Sequence, residues 1–136
     1  MNNLIQIAKS LAHQAHAGQF RRDHLTPYVL HPQLVVELLD GEPCETIAAA
    51  WLHDVVEDTR LTFEDLINFA IPESVVEIVK ILTKSANTEY QTYLQDIKNH
   101  NIARKIKIAD MIANLTDSPT EKQIRKYTKG ILFLSQ

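Results

Sequence analysis

The sequence predicts an all-α fold, and three observations carry that prediction. Apolar residues recur at three- and four-residue spacing along every long segment, the pattern of helices with one buried face. Three glycines and five prolines leave too little turn material for a many-stranded sheet. Helix-start signals, either a proline or a threonine followed three positions later by glutamine, stand before several of these segments. The single extended pattern left over is the short Tyr28-Val29-Leu30.

Taken in order, Leu4, Ile7, Ala8, Leu11, Ala12 and Ala15 mark a first amphipathic helix with Gly18 as its C-cap. His13 and His16 sit on its last turn; two histidines three apart suit a metal, and cations at a helix C-terminus equally suit its dipole. A loop through Arg21, Arg22, Pro27 and Tyr28 follows. Pro32 suits the first turn of a second helix through Leu34, Val35, Leu38 and Leu39 to Gly41, which puts His31 in the N-cap region. A third helix starts near Pro43, runs through Ile47-Ala48-Ala49-Ala50, and carries His53, Asp54, Glu57 and Asp58 at its end. Thr62 caps a short helix through Phe69, and Pro72 opens another with Val75, Val76, Ile78, Val79 and Leu82 buried. Thr88 with Gln91 and Thr120 with Gln123 read as capping boxes for two further helices. Between them, Ile102 to Leu115 is apolar enough to be central, yet Lys107, Asp110 and Asn114 form a polar stripe along it. Tyr127 falls in register with the apolar face of the last helix.

The chain of 136 residues is expected to form one domain, 1–136, large enough to bury about two-thirds of its unfolded surface. A net charge of −3 gives no overall attraction to nucleic acid or to an anionic membrane, so an anionic substrate would need a local basic cluster. Cys44 is the only cysteine, so no disulfide can close within the chain, and a reducing compartment fits. Met1-Asn2-Asn3-Leu4 lacks a signal-peptide pattern, and no apolar run reaches the roughly 20 residues of a membrane span. A cytoplasmic location is expected.

The chemistry concentrates at Trp51-Leu52-His53-Asp54-Val55-Val56-Glu57-Asp58-Thr59. Three carboxylates within five residues repel one another, and beside an apolar helix they are partly shielded from water. Such charge is costly without a compensating cation. If the helix continues, Glu57 lies one turn beyond His53 and Asp58 one turn beyond Asp54. A solvated acidic helix end explains the stretch equally well when it is taken alone. His31, His53, Asp54 and Asp110 together offer a mixed nitrogen and oxygen donor set that suits Mn²⁺, Fe²⁺ or Zn²⁺ and lacks the thiolates of structural zinc. Four protein ligands on an octahedral ion leave room for water and a substrate oxygen, and Glu57 and Asp58 are spaced to orient or deprotonate that water.

Four segments together resemble the HD-domain metal-dependent phosphohydrolases. They are Ala12-x-x-Ala15-His16-x-Gly18-Gln19-x-Arg21-Arg22 with Pro27-Tyr28-x-x-His31-Pro32, then His53-Asp54-Val55-Val56-Glu57-Asp58-Thr59, then Lys107-Ile108-Ala109-Asp110-x-x-x-Asn114-Leu115, and Tyr127. Within that family the sequence is similar to the hydrolase domain of RelA/SpoT-type (p)ppGpp enzymes and to stand-alone small alarmone hydrolases. The resemblance implies a compact multi-helix HD-domain bundle and one Mn²⁺ held by His31, His53, Asp54 and Asp110. It implies water activation by Glu57 and Asp58, with Arg21 against a guanine base and Arg22 near the phosphates. Lys107 and Asn114 would contact the nucleotide and Tyr127 would line the pocket. The implied reaction removes pyrophosphate from the 3′ position of guanosine tetra- or pentaphosphate, a small-molecule partner rather than a nucleic acid or membrane. Three features depart from the family pattern: Thr116 stands where an Arg is usual, Leu25 and Thr26 occupy a turn that commonly holds Gly, and the stretch from Asn114 to Tyr127 is short. These departures leave room for an HD phosphohydrolase acting on a deoxynucleotide or NADPH, or for a non-catalytic nucleotide-binding module.

Overall fold

The computed structural model describes residues 2–136, so the sequence reading that involves Met1 lies outside the described residues. Nine helices make up the described chain: α1 (Asn2–Ala15), α2 (Leu30–Leu38), α3 (Cys44–Leu52), α4 (Val55–Asp58), α5 (Phe63–Asn68), α6 (Glu73–Leu82), α7 (Tyr90–Lys98), α8 (Asn101–Leu115) and α9 (Glu121–Ser135). Among the described residues β pairing is limited to one isolated bridge, Phe20 to Pro27.

Helix α3 is the hub because, from Ile47 onward, it is apolar on every face. Ala48, Ala49, Ala50 and Leu52 are fully buried, and α3 packs against α1, α2, α6 and α8. A helix that is apolar on every face must be enclosed. Helix α8 forms the second buried layer through Ala103, Ile106, Met111 and Ala113, and α9 lies along it. Gly130 makes that approach close: a Cβ there would stand 2.5 Å from Met111 Cε. No described helix is long and apolar enough to cross a membrane.

Several local expectations change. Tyr28-Val29-Leu30 is no strand, because Tyr28 lies in a turn and α2 already begins at Leu30. His31 therefore sits inside the first turn of α2 rather than at its N-cap, which is Val29. Thr88 does not cap α7: its hydroxyl pairs with Ser85 Oγ at 2.8 Å, and Glu89 takes the N-cap position without a side-chain bond. Thr62 with Asp65 and Thr120 with Gln123 do form reciprocal capping boxes. The turn at Leu25 and Thr26 works without glycine because His24 takes the left-handed conformation (φ 62°). The Asp23 carboxylate accepts from the Leu25 and Thr26 amides, at 2.9 Å each, which fixes the turn.

The helix that leads into the acidic stretch is also broken. Helix α3 ends at Leu52, His53 and Asp54 form a turn, and α4 restarts at Val55. Both residues keep right-handed helical dihedrals through the break, and His53 Nε2 and Asp54 Oδ2 still meet at 3.1 Å.

Candidate functional site: an imidazole–carboxylate cluster in a cleft of mixed charge

Three distant segments deliver the cluster. The first turn of α2 supplies His31, the α3–α4 break supplies His53 and Asp54, and the middle of α8 supplies Asp110. One donor atom from each of the four lies within 4.8 Å of the others. His31 Nε2 is 2.7 Å from Asp110 Oδ1 and 3.7 Å from Asp54 Oδ2. His53 Nε2 is 3.1 Å from Asp54 Oδ2 and 3.4 Å from Asp110 Oδ1. His31, His53 and Asp110 are buried.

The backbone settles which nitrogen of His53 faces inward. Its Nδ1 donates to the Ala50 carbonyl at 2.7 Å, so Nε2 points at the two carboxylates, where it is buried without a hydrogen-bond partner. Asp54 occupies the N-cap position of α4 yet makes no capping bond, so its carboxylate is turned toward the cluster instead of its own helix.

The charges show the same convergence. Burial alone would keep His53 neutral, but Asp54 and Asp110 overcome it and hold the imidazole well above its ordinary value. Burial would also raise Asp110, yet the Lys107 ammonium and the two imidazoles hold its carboxyl well below the usual range. Lys107 Nζ is 3.0 Å from Asp110 Oδ2, and Asn114 Nδ2 donates to Asp110 Oδ1 at 3.4 Å. The polar stripe on α8 thus converges on Asp110 rather than forming a free solvent face. One buried and one half-buried carboxylate, with two imidazole nitrogens of which His53 Nε2 has no hydrogen-bond partner, make a donor set that fits a divalent cation.

Glu57 and Asp58 stand beside the cluster on α4. Glu57 Oε1 accepts from the Lys84 amide at 2.8 Å, which ties α4 to the loop after α6. Both carboxyls are pushed upward, first by burial and then by the Asp54 charge. Both face a cleft of about 620 Å³ whose walls also include Tyr28, His31, Asp54, Lys84, Tyr90, Lys107, Asp110, Asn114, Lys126 and Tyr127.

Arg21 and Arg22 are placed differently. Arg21 is held by Asp117 Oδ2 at 2.9 Å and Asn114 Oδ1 at 3.1 Å, its guanidinium 5.3 Å from the Tyr28 ring centre. It lines a separate pocket of about 180 Å³ with Thr26, Leu34 and Thr116, and His31 forms a wall of both spaces. Arg22 donates to Gln123 Oε1 at 3.0 Å, on α9. His13 is exposed, and His16 is buried with its Nδ1 2.9 Å from Gln19 Oε1; neither belongs to the cluster. His100 caps α8 by accepting from the Ala103 amide at 3.2 Å.

Sequence reasoning overlooked Tyr28 as a site residue, along with Lys84, Lys122 and Lys126. Tyr28 was signalled by its place three residues before His31. Lys122 and Lys126 carried no signal, since lysine on an amphipathic helix usually marks solvent, and Lys84 stands in a loop with no motif around it.

Comparison with known proteins gives the site a context. An HD domain family model matches residues 8–129. The chain is 35% identical over 140 residues to a probable GTP pyrophosphokinase of Mycobacterium leprae, covering 91% of this chain and 17% of that protein. It is 39% identical over 112 residues to the guanosine-3′,5′-bis(diphosphate) 3′-pyrophosphohydrolase MESH1 of Drosophila melanogaster, covering 75% of this chain and 62% of that one. The chain thus spans less than two-thirds of either relative. A solved structure described as a metazoan ortholog of SpoT that hydrolyzes ppGpp superposes with a TM-score of 0.82 at 28% identity, covering 96% of this chain and 84% of its own. With the family model spanning the cluster and nearly every helix, the chain belongs to the HD-domain family.

Proposed function

We propose that the chain is a metal-dependent phosphohydrolase that removes pyrophosphate from the 3′ position of guanosine 3′,5′-bis(diphosphate), with His31, His53, Asp54 and Asp110 holding one Mn²⁺. The single observation that carries this reading is the convergence of four donor atoms within 4.8 Å beside a cleft that Glu57 and Asp58 also line. The names of the similar proteins support the choice of substrate.

In this reading water adds to the phosphorus attached to the ribose 3′ oxygen, the bond between that phosphorus and oxygen breaks, and the departing oxygen takes up a proton to become the 3′-hydroxyl. The products are pyrophosphate and the 5′-diphosphate nucleotide. When bound, the metal supplies Lewis-acid stabilisation of the phosphoryl charge. Glu57 and Asp58 orient the water and accept its proton, a role suited to carboxyls whose affinity for protons burial has raised. Lys107 and Asn114 fix Asp110 and face the cleft, where they neutralise and position the nucleotide. Arg21, held flat by Asp117 and Asn114, suits stacking on a planar base in the smaller pocket. Arg22 would lie toward the phosphates from its anchor on α9, and Tyr127 forms part of the cleft wall.

The decisive experiment supplies the Mn²⁺-loaded protein with guanosine 3′,5′-bis(diphosphate), a deoxynucleoside triphosphate and NADPH in parallel. Pyrophosphate and GDP from the first substrate alone are the expected products. Turnover confined to either of the others would transfer the assignment to a different nucleotide, and no turnover of any would leave a binding module.

A further inference from the structure

Four lysines line the large cleft, and only one of them has a carboxylate partner. Lys107 is spoken for by Asp110 at 3.0 Å. Lys84, Lys122 and Lys126 line the same cleft, and among the described residues no carboxylate lies within 4.0 Å of any of them. Lys84 Nζ meets only the Ser85 carbonyl, at 3.2 Å. On α9 the one acid nearby, Glu121, is turned to Arg125 at 4.0 Å. Lys122 and Lys126 are four residues apart, so their charges share a face and repel, which slightly destabilises the helix they sit on. Lys126 is held against the wall by aromatic faces, its Nζ 4.7 Å from the Tyr90 ring centre and 5.7 Å from that of Tyr127. The cleft therefore has two kinds of charged lining: the imidazole–carboxylate cluster with Glu57 and Asp58, and a group of cations with no anion of their own.

We propose that Lys84, Lys122 and Lys126 form a second anion subsite, which takes the phosphate chain on the 5′ side of the nucleotide while the 3′ diphosphate lies at the cluster. This deepens the function proposed above and rests on it for the identity of the reacting group. A ligand with one phosphate group answers only one kind of lining; a nucleotide phosphorylated on both sides of the ribose answers both. Selectivity then comes from the lysines, because a nucleotide with a free 5′-hydroxyl leaves their charges unmatched. Arg21 and Arg22 do not fill this role, since neither lines this cleft and Arg21 is paired with Asp117 in the smaller pocket.

The test uses the doubly substituted protein Lys122→Ala/Lys126→Ala. Both side chains are exposed, so the fold is retained, which circular dichroism and thermal melting check. With guanosine 3′,5′-bis(diphosphate) the KM is expected to rise about tenfold, the loss of a charge-assisted contact, while kcat stays within about twofold. With guanosine 3′-diphosphate carrying a free 5′-hydroxyl, both constants should match those of the parent. Lys122→Arg/Lys126→Arg should restore the lower KM. A second arm is independent of turnover: calorimetry should show GDP binding the parent about tenfold more tightly than guanosine, with the preference absent in the alanine variant. Equal KM changes on both nucleotides, no change on either, or GDP and guanosine binding alike to the parent would each overturn the subsite. A GDP preference that the alanine variant loses, in a protein that hydrolyses neither 3′-diphosphate, would refute the proposed reaction while sustaining the subsite.

Discussion

The Tyr28 hydroxyl lies 2.8 Å from Asp54 Oδ2 and 3.1 Å from Asp58 Oδ2, and so joins a carboxylate of the cluster to one of the two that flank it. Behind it the ring stacks on buried His16, with centres 4.8 Å apart. Gln19, which His16 orients, donates to the Asp58 carbonyl at 2.9 Å. The N-terminal loop thus holds Asp58 by both its side chain and its backbone. Tyr28→Phe keeps the ring and removes the bridge. The expected result is a fall in kcat of about tenfold, one hydrogen bond's worth of positioning, with metal content unchanged on elemental analysis.

Glu57→Gln separates two duties of one side chain. The amide oxygen can still accept from the Lys84 amide, so the loop after α6 stays anchored. The capacity to take a proton is gone. A drop in kcat of roughly 100-fold or more is expected, at unaltered metal stoichiometry. A variant with full activity would remove Glu57 from the proposed chemistry.

Lys107→Met strands a buried charge. In the metal-free protein Asp110 loses the ammonium that lowers its pKa most, and unfolding by urea should show a loss of about 3 kcal/mol. With the divalent ion bound, the carboxylate keeps a cationic partner. The loss should then shrink to about half or less, so metal raises the stability of the variant more than that of the parent.

Removing the metal should also change how stability depends on pH. The carboxylates raise the folded pKa of His53 above the ordinary 6.5. The stabilisation this represents is complete below that ordinary value and is lost as pH rises through the higher folded one. Metal requires the unprotonated nitrogen, so binding near neutrality should expel about one proton. Calorimetry in two buffers of different ionisation enthalpy measures that number, which should fall toward zero in alkaline solution. The melting temperature of the metal-free protein should decline over the same alkaline range.

Gly130→Ala tests the seam between α8 and α9. The added methyl meets Met111 Cε at 2.5 Å and Sδ at 2.8 Å, and Met111 is fully buried. The end of the methionine can shift, and alanine favours the helix by roughly 1 kcal/mol. Overpacking of about 1–3 kcal/mol should still leave a net loss in thermal unfolding, and the increment due to Gly130→Ala should shrink or change sign when measured in a Met111→Ala background.

Much of this architecture was legible because helices announce themselves locally. Apolar spacing located α1, α6, α8 and α9, and Thr62 as a cap and Thr120 with Gln123 as a box located the starts of α5 and α9. Thr88 misled because a hydroxyl three residues before a glutamine is a local signal, and the loop partner Ser85 claimed it. The break between Leu52 and Val55 was hidden for a different reason. Nothing in Trp51-Leu52-His53-Asp54 disfavours a continuing helix; only the demands of His31 and Asp110, both far away in sequence, turn those two side chains together. The same holds for the cleft lysines. Exposed charges on α9 acquire meaning only once the wall opposite is known, and that wall comes from α4 and the loop after α6.

The missing capping bond at Asp54 has an evolutionary reading. An aspartate at the start of a helix normally secures that helix by about 1 kcal/mol, and here the carboxylate is spent elsewhere. Under the proposed function, selection for heat resistance and selection for turnover therefore pull on the same atom in opposite directions. Replacements that mend the four-residue α4, or fuse it to α3, would make a sturdier molecule with a dismantled centre. Directed evolution for robustness alone should drift toward such inactive solutions at residues 53 and 54.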